Sequence, residues 1–467
     1  MFKERGLQLR LVIMLLAGLL FVGQVGHGVQ EDSVRTVTIL YTNDEHGWME
    51  TQDTSGGAAE LLGLWKALPE FGQSTLILSG GDMWTGPAIS TWHDGKSMVE
   101  VMNAMGYAAA AVGNHEYDFG FEALEERFNE SAFPFLAANL PEGTLDFLPD
   151  FIIEEVNGVQ VGIIGLTRTG LIELESNPDT LRRITPQVRE AGAELVIVIS
   201  HFCLEELGPL RFVAAELEIA MLGGGHCNQL EAAVRGGDVA VISGGSQMSS
   251  YARVDITFDT MFDEVVEMTT SVHFNTGGEP DEAVADIISG WRALTDEALG
   301  EVIGYVNRDI DQRSAALFNL FNDAWLWAFP EADAALNNRG GFRQDIPSGE
   351  ITRETILGVF PFDNIIIEVK MTGAELIQNI QCCNPSVAGV NVRGGITLAD
   401  GTPIDPDAIY TVLVNSFMFE VDDNYTFRPE SGRNTQVPYR EPLINYLIEL
   451  NTTPENPLDP FLDHLPR

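Results

Sequence analysis

The chain has 467 residues, 45% hydrophobic and 20% charged, more than one hydrophobic core usually organises, so two domains are expected. It carries 69 Asp and Glu against 26 Lys and Arg, a formal net charge of −43, which excludes a protein built to bind a nucleic-acid backbone. Lysine occurs only at Lys3, Lys66, Lys96 and Lys370, and an Asp/Glu surface of this kind suits solubility in salty surroundings, where screening weakens self-repulsion. Four cysteines are too few for a disulfide scaffold and lack zinc-ribbon spacing; the adjacent Cys382 and Cys383 read as one packed and one partly exposed thiol.

At the N-terminus, Lys3, Arg5 and Arg10 precede the apolar run LVIMLLAGLLFVG, the pattern of a secretory signal peptide over residues 1–28 and short for a bilayer span. Its removal takes three basic and one acidic residue and leaves −45. The expectation is an exported protein, periplasmic or secreted, without stable membrane insertion after cleavage. The Pro-rich end NPLDPFLDHLPR reads as an ordinary frayed terminus.

Five apolar, β-branched runs follow, each ending on polar residues of the same few kinds. TVTILYT delivers Asp44 and His46; STLILSGGD ends on Asp82; AAAAVGNHEYDFG brings Asn114, His115 and Asp118; AELVIVISH ends on His201; EIAMLGGGHCN ends on His226 and Asn228. Helical stretches such as SMVEVMNAMG and TPQVREAGA lie between them, as in crossover units, so the strand ends converge on one crevice. No Ser or Cys occupies a nucleophile elbow. His, Asp and Asn are nitrogen and oxygen donors for borderline or hard cations, and they exceed what one ion needs, which points to two metals bridged by a carboxylate and to phosphate-ester hydrolysis.

Together the blocks NDEHG, GGDMWTG, GNHEYDFG, SH at 200 and GGGHCN resemble the calcineurin-like metallophosphoesterases, specifically the 5'-nucleotidase family, and RSAALFNLFNDA, NNRGGFRQDIPSGEIT and FPFDN are similar to that family's C-terminal nucleotide-binding domain. The resemblance implies an α/β fold: a metallophosphoesterase sandwich of β-sheets flanked by helices over 33–275, a linker helix over 276–300 and an α+β substrate domain over 301–467. By position it implies that Asp44, His46, Asp82 and Asn228 hold one divalent ion and that Asp82, Asn114, His201 and His226 hold the other, zinc, manganese or cobalt being candidates. His115, oriented by Asp118, is left to stabilise the transferring phosphoryl group or protonate the leaving oxygen while water attacks in line. Arg313, Asn338, Arg343, Phe362, Phe417 and Asp423 map onto the substrate contacts, the two phenylalanines flanking a base.

The sequence departs from that pattern at Asn228, where a second His or a Gln is common and Asn is one methylene shorter than Gln, at the MFEVD stretch where glycines are common, and at Cys203 and Cys227, whose loops must converge if His201 and His226 share an ion and which leave a disulfide open. The function implied is a 5'-nucleotidase taking nucleoside 5'-monophosphates to nucleoside and phosphate, with nucleotide sugars and 2',3'-cyclic nucleotides as further candidates. The alternatives are a thiosulfohydrolase-like enzyme on the same fold and a metal-impaired nucleotide-binding protein.

Overall fold

The computed structural model describes residues 33–422 and 424–462, so the expected signal peptide and Asp423 lie outside the described residues. Twelve strands build the first half: β1 (Val34–Thr42), β2 (Thr75–Ser79), β3 (Ala109–Ala111), β4 (Phe135–Leu136), β5 (Phe151–Val156), β6 (Val159–Leu166), β7 (Leu195–Ser200), β8 (Ile219–Gly223), β9 (Leu230–Arg235), β10 (Val239–Gly244), β11 (Ser250–Asp259) and β12 (Glu264–Phe274). They form two six-stranded sheets, β12-β11-β1-β2-β3-β4 and β5-β6-β7-β8-β10-β9.

Strand periodicity shows why the sheets stack. Ile39, Tyr41, Ile197 and Ile199 point into the layer between the sheets with Ile163, Met221 and Val254. Their neighbours Leu40, Val196 and Val198 face the opposite way and meet helices: Leu40 packs with Leu61, Leu62 and Met102, and Val196 and Val198 with Leu181, Ile184 and Leu207. With both faces covered, these strands are apolar at nearly every position, as buried parallel strands must be.

In the second half a five-stranded sheet runs Ser386–Ala388, Ala334–Asn337, Ile409–Asn415, Ile365–Thr372 and Gly432–Pro438. Helices Ala315–Ala328 and Glu441–Leu450 cover one face through Phe321, Trp325, Leu443 and Leu447, and helix Gly373–Cys383 covers the other through Leu376 and Ile380. The expected α/β and α+β architecture is therefore present.

The helix expected as a linker is Glu282–Leu299, capped by Asp281, whose carboxylate accepts from the Val284 N–H. Val284, Ile287, Ile288 and Trp291 bury it against the first half. Its Arg292 pairs with Glu50 at 2.5 Å and also with Glu354, so one guanidinium joins both halves. No helix among the described residues is long and apolar enough to cross a membrane.

All four cysteines are bonded. Cys203–Cys227 joins the loops after β7 and β8, with Cα atoms 5.3 Å apart. Cys382 and Cys383, expected as two thiols, instead form a disulfide with each other. Ordinary disulfide geometry spans a wider Cα separation than neighbouring residues have, so sequence spacing argues against such a bond, which here joins the last two residues of helix Gly373–Cys383.

Candidate metal centre and substrate face

β1, β2 and β3 run parallel in one sheet, and β7 and β8 in the other, so their carboxyl ends share one edge of the sandwich. Tyr41 Oη donates to the Gly224 carbonyl at 3.1 Å and ties the sheets together there. Past the strands the first two loops continue to pair: the N–H groups of Asp44 and His46 donate to the carbonyls of Gly81 and Asp82 at 2.9 and 2.8 Å.

These loops turn sharply enough that Asp44 (φ 53°), His46 (48°), Asp82 (59°), His226 (71°) and Asn228 (53°) all adopt left-handed backbone. Such conformations cost on the order of 1 kcal/mol or more each and persist only where surroundings over-determine them. Gly113 is one of those surroundings: a Cβ there would lie 2.2 Å from Asp82 Oδ1.

Asp82 occupies the centre. Its Oδ2 lies 3.8 Å from His46 Nε2, 4.0 Å from His115 Nε2 and 2.9 Å from His201 Nε2, and its Oδ1 accepts the His115 N–H at 2.9 Å. Asp44 Oδ1 is 3.9 Å from His46 Nε2, and His226 Nδ1 is 2.9 Å from Asn114 Oδ1. Two triads result, His46, Asp82 and His115, and Asp82, His201 and His226, each with its nearest donor atoms within 4.8 Å of one another. Asn228 follows His226 by two residues with an exposed side chain.

The hydrogen bonds around the rings leave ligand atoms free. His46 Nδ1 meets the Thr85 carbonyl at 3.1 Å and His201 Nδ1 the Gly80 carbonyl at 2.8 Å, so each ring directs Nε2 at Asp82. Asp44 Oδ1 is fully buried without a hydrogen-bond partner, and His201 Nε2 faces only the Asp82 carboxylate, an arrangement that cation coordination relieves. With nitrogen and oxygen donors and no thiolate, the residues fit a pair of divalent cations.

Burial and charge set the titration. Burial raises Asp44 to about 6, and it also lowers His226, which His201 and Arg168 lower further, to about 4. Burial alone would lower His201, but the Asp82 charge overrides it and lifts it to about 9. Burial likewise opposes protonation of His115, whereas Asp118, 2.7 Å from its Nδ1, and Asp82 together raise it.

Of the residues assigned to substrate, Arg343 and Phe362 meet this cluster. Arg343 Nη2 lies 3.4 Å from His46 Nε2, and the Phe362 ring stacks on His115 at 5.7 Å and 26°. Phe417 is 40% exposed, and Asn364 Oδ1 accepts from its N–H and from Ser416 Oγ, stitching the segments that carry the two phenylalanines. Asn338 Oδ1 accepts from Asn415 Nδ2 at 2.8 Å beside them. Arg313 lines a separate cavity of about 250 Å³ with Phe318 and Arg339.

Sequence reasoning missed two supports. Glu116, fully buried, accepts the N–H groups of Asp82, Met83 and Gly113 at 2.8, 2.7 and 2.6 Å and so holds two ligand loops together. Asn43 donates to Asp44 Oδ2 and the Gly245 carbonyl and accepts from the Gly244 N–H. The available signal for Glu116 was a carboxylate wedged between ligand residues in GNHE, which alone reads as a solvated charge.

Residues 300–429 match the family described as 5'-nucleotidase, C-terminal domain. The chain is 25% identical over 475 residues to a 5'-nucleotidase of Vibrio cholerae, covering 85% of this chain and 84% of that one. It is 25% identical over 405 residues to Endonuclease YhcR of Bacillus subtilis, and there the match takes in 74% of this chain but only 33% of the longer relative. The fold superposes on the crystal structure of a 5'-nucleotidase precursor from Thermus thermophilus with a TM-score of 0.76 at 22% identity, over 90% of this chain and 97% of that one. Residues 300–429 thus carry a 5'-nucleotidase C-terminal domain, and the chain as a whole is similar in sequence and fold to 5'-nucleotidases, which are phosphoric ester hydrolases.

Proposed function

We propose that the chain is an exported hydrolase of nucleoside 5'-monophosphates, with residues 301–467 acting as its substrate domain. The observation that carries this reading is the meeting of Arg343 and Phe362 from the second half with His46 and His115 from the first. A permanent cation for phosphate and an aromatic face suited to a base stand beside one cluster of metal-type donors.

Asp44, His46, Asp82 and Asn228 would hold one divalent cation and Asp82, Asn114, His201 and His226 the other, supplying charge neutralisation for phosphate and a water of lowered pKa. The protein's own contribution is placement. Arg343, always protonated, holds a phosphoryl oxygen near His46. His115, kept charged by Asp118, presents Nε2 to the leaving 5' oxygen and delivers its proton. Phe362 and the half-exposed Phe417, joined through Asn364, bracket the base. The phenylalanine pair also separates this reading from a thiosulfohydrolase, whose inorganic ester offers no ring to stack.

Phosphate release measured across nucleoside monophosphates, nucleotide sugars, 2',3'-cyclic nucleotides and small alkyl phosphates tests the proposal, with metal-loaded and chelated protein. Metal-dependent turnover that favours nucleoside monophosphates is expected. Equal rates on alkyl phosphates and nucleotides, or no turnover of any ester with zinc, manganese or cobalt, would overturn it.

A further inference from the structure

The second half contains a cavity of about 250 Å³ in which three of the ten lining residues are arginines, Arg313, Arg339 and Arg393, and none is acidic. In a chain with 69 acidic residues that combination needs a cause. Among the described residues none of the three arginines has an ion pair with a carboxylate, although most arginines elsewhere do, as Arg127, Arg183, Arg253 and Arg440 illustrate.

The cavity also has a built floor. The Arg339 guanidinium lies over the Phe318 ring, 4.9 Å from Cζ to centroid, and reaches Asn384 Oδ1 at 3.4 Å, which restrains it without neutralising it. Ala315 on the lining begins the 14-residue helix Ala315–Ala328, whose N-terminal dipole adds positive potential.

We propose that this cavity is an anion site for a tetrahedral phosphate group, separate from the phosphate bound at the metal cluster. Three guanidiniums in a small cavity with no carboxylate among its described lining residues match the oxygens of one phosphate through bidentate hydrogen bonds, and they are the local positive charge that a strongly acidic protein needs to hold an anion at all. The occupant is either the distal phosphate of a substrate bearing two phosphates or free inorganic phosphate. Only the first rests on the nucleotidase reading.

The test pairs Arg339→Ala with Arg393→Ala, both exposed positions outside the metal cluster, and uses double replacement by lysine as the conservative control. Calorimetric titration of the metal-loaded protein with inorganic phosphate at low ionic strength should show the alanine variant binding one ion fewer than wild type, with lysine restoring at least part of it. Turnover of a small aryl phosphate and the melting temperature should not change. A rise of about tenfold or more in KM for a nucleoside diphosphate, with that for the monophosphate unchanged, identifies the distal phosphate as the occupant. Loss of one bound phosphate with both KM values unchanged identifies the free anion. Equal phosphate stoichiometry in wild type and variant, with an unaltered diphosphate KM, overturns the proposal. Failure of the hydrolase reading would show instead as no turnover of any ester, while the phosphate count remains measurable.

Discussion

Glu116 touches none of the candidate ligand atoms, yet its replacement should disable the metal cluster. Its Oε2 accepts from Asp82 and Gly113 and its Oε1 from Met83. In Glu116→Gln the side chain keeps its size, but an amide has only one acceptor atom, so at least one buried N–H faces an NH2 group; the cost is about 1–3 kcal/mol. Glu116→Ala strands all three donors, and even with water entering the gap a loss of about 3–6 kcal/mol follows. That energy is what keeps Asp82 at φ 59° and the loop of Asn114 against it, so the cluster should loosen before the fold does. Support residues of this kind typically change metal affinity by ~10–100-fold. The assay is bound-metal analysis after dialysis against graded chelator, paired with turnover and with thermal melts taken with and without metal. Glu116→Gln should give up metal at lower chelator concentration, and added metal should restore part of its turnover. Metal retention and turnover within about twofold of wild type would refute the bracing argument, because the strained loop would then hold itself.

Asp118→Asn should move the pH profile in a known direction: the proton on His115 is present below its folded pKa and lost as pH rises through it, so removing the charge that raises that pKa shifts the alkaline limb of kcat to lower pH. Phe362→Ala should raise KM for adenosine monophosphate, with ~1–3 kcal/mol of stacking at stake, far more than for an alkyl phosphate; equal effects would make the ring structural. Asp281 is depressed by its hydrogen bond to Lys66 and caps a helix, so its contribution is present above about pH 4 and lost as pH falls through the folded value. Asp281→Asn should therefore lower the melting temperature at pH 7, with the gap closing towards pH 3. Thiol counting on unfolded, unreduced protein should find no free thiol in contrast to four after reduction, and two free thiols without reductant would remove the Cys382–Cys383 bond.

The sequence alone determined where chemistry could occur, because strands covered on both faces are nearly all apolar and their ends stand out as the first polar residues. Asp44, Asp82, Asn114, His201 and His226 stood out as candidates for that reason, amphipathic spacing marked the helix that begins at 282, and the aromatic segments of the second half came from the family resemblance. Tertiary structure decided what depends on encounters between distant segments. Nothing local distinguishes Glu116 from a solvated carboxylate until three backbone N–H groups from two loops close on it. Nothing local says that Arg343 reaches His46 while Arg313, assigned to the same substrate, turns to a cavity with Arg339 and Arg393. Apolar patterning is read from spacing along the chain, whereas hydrogen-bond satisfaction and charge pairing are properties of three-dimensional neighbours, and only folding assigns those.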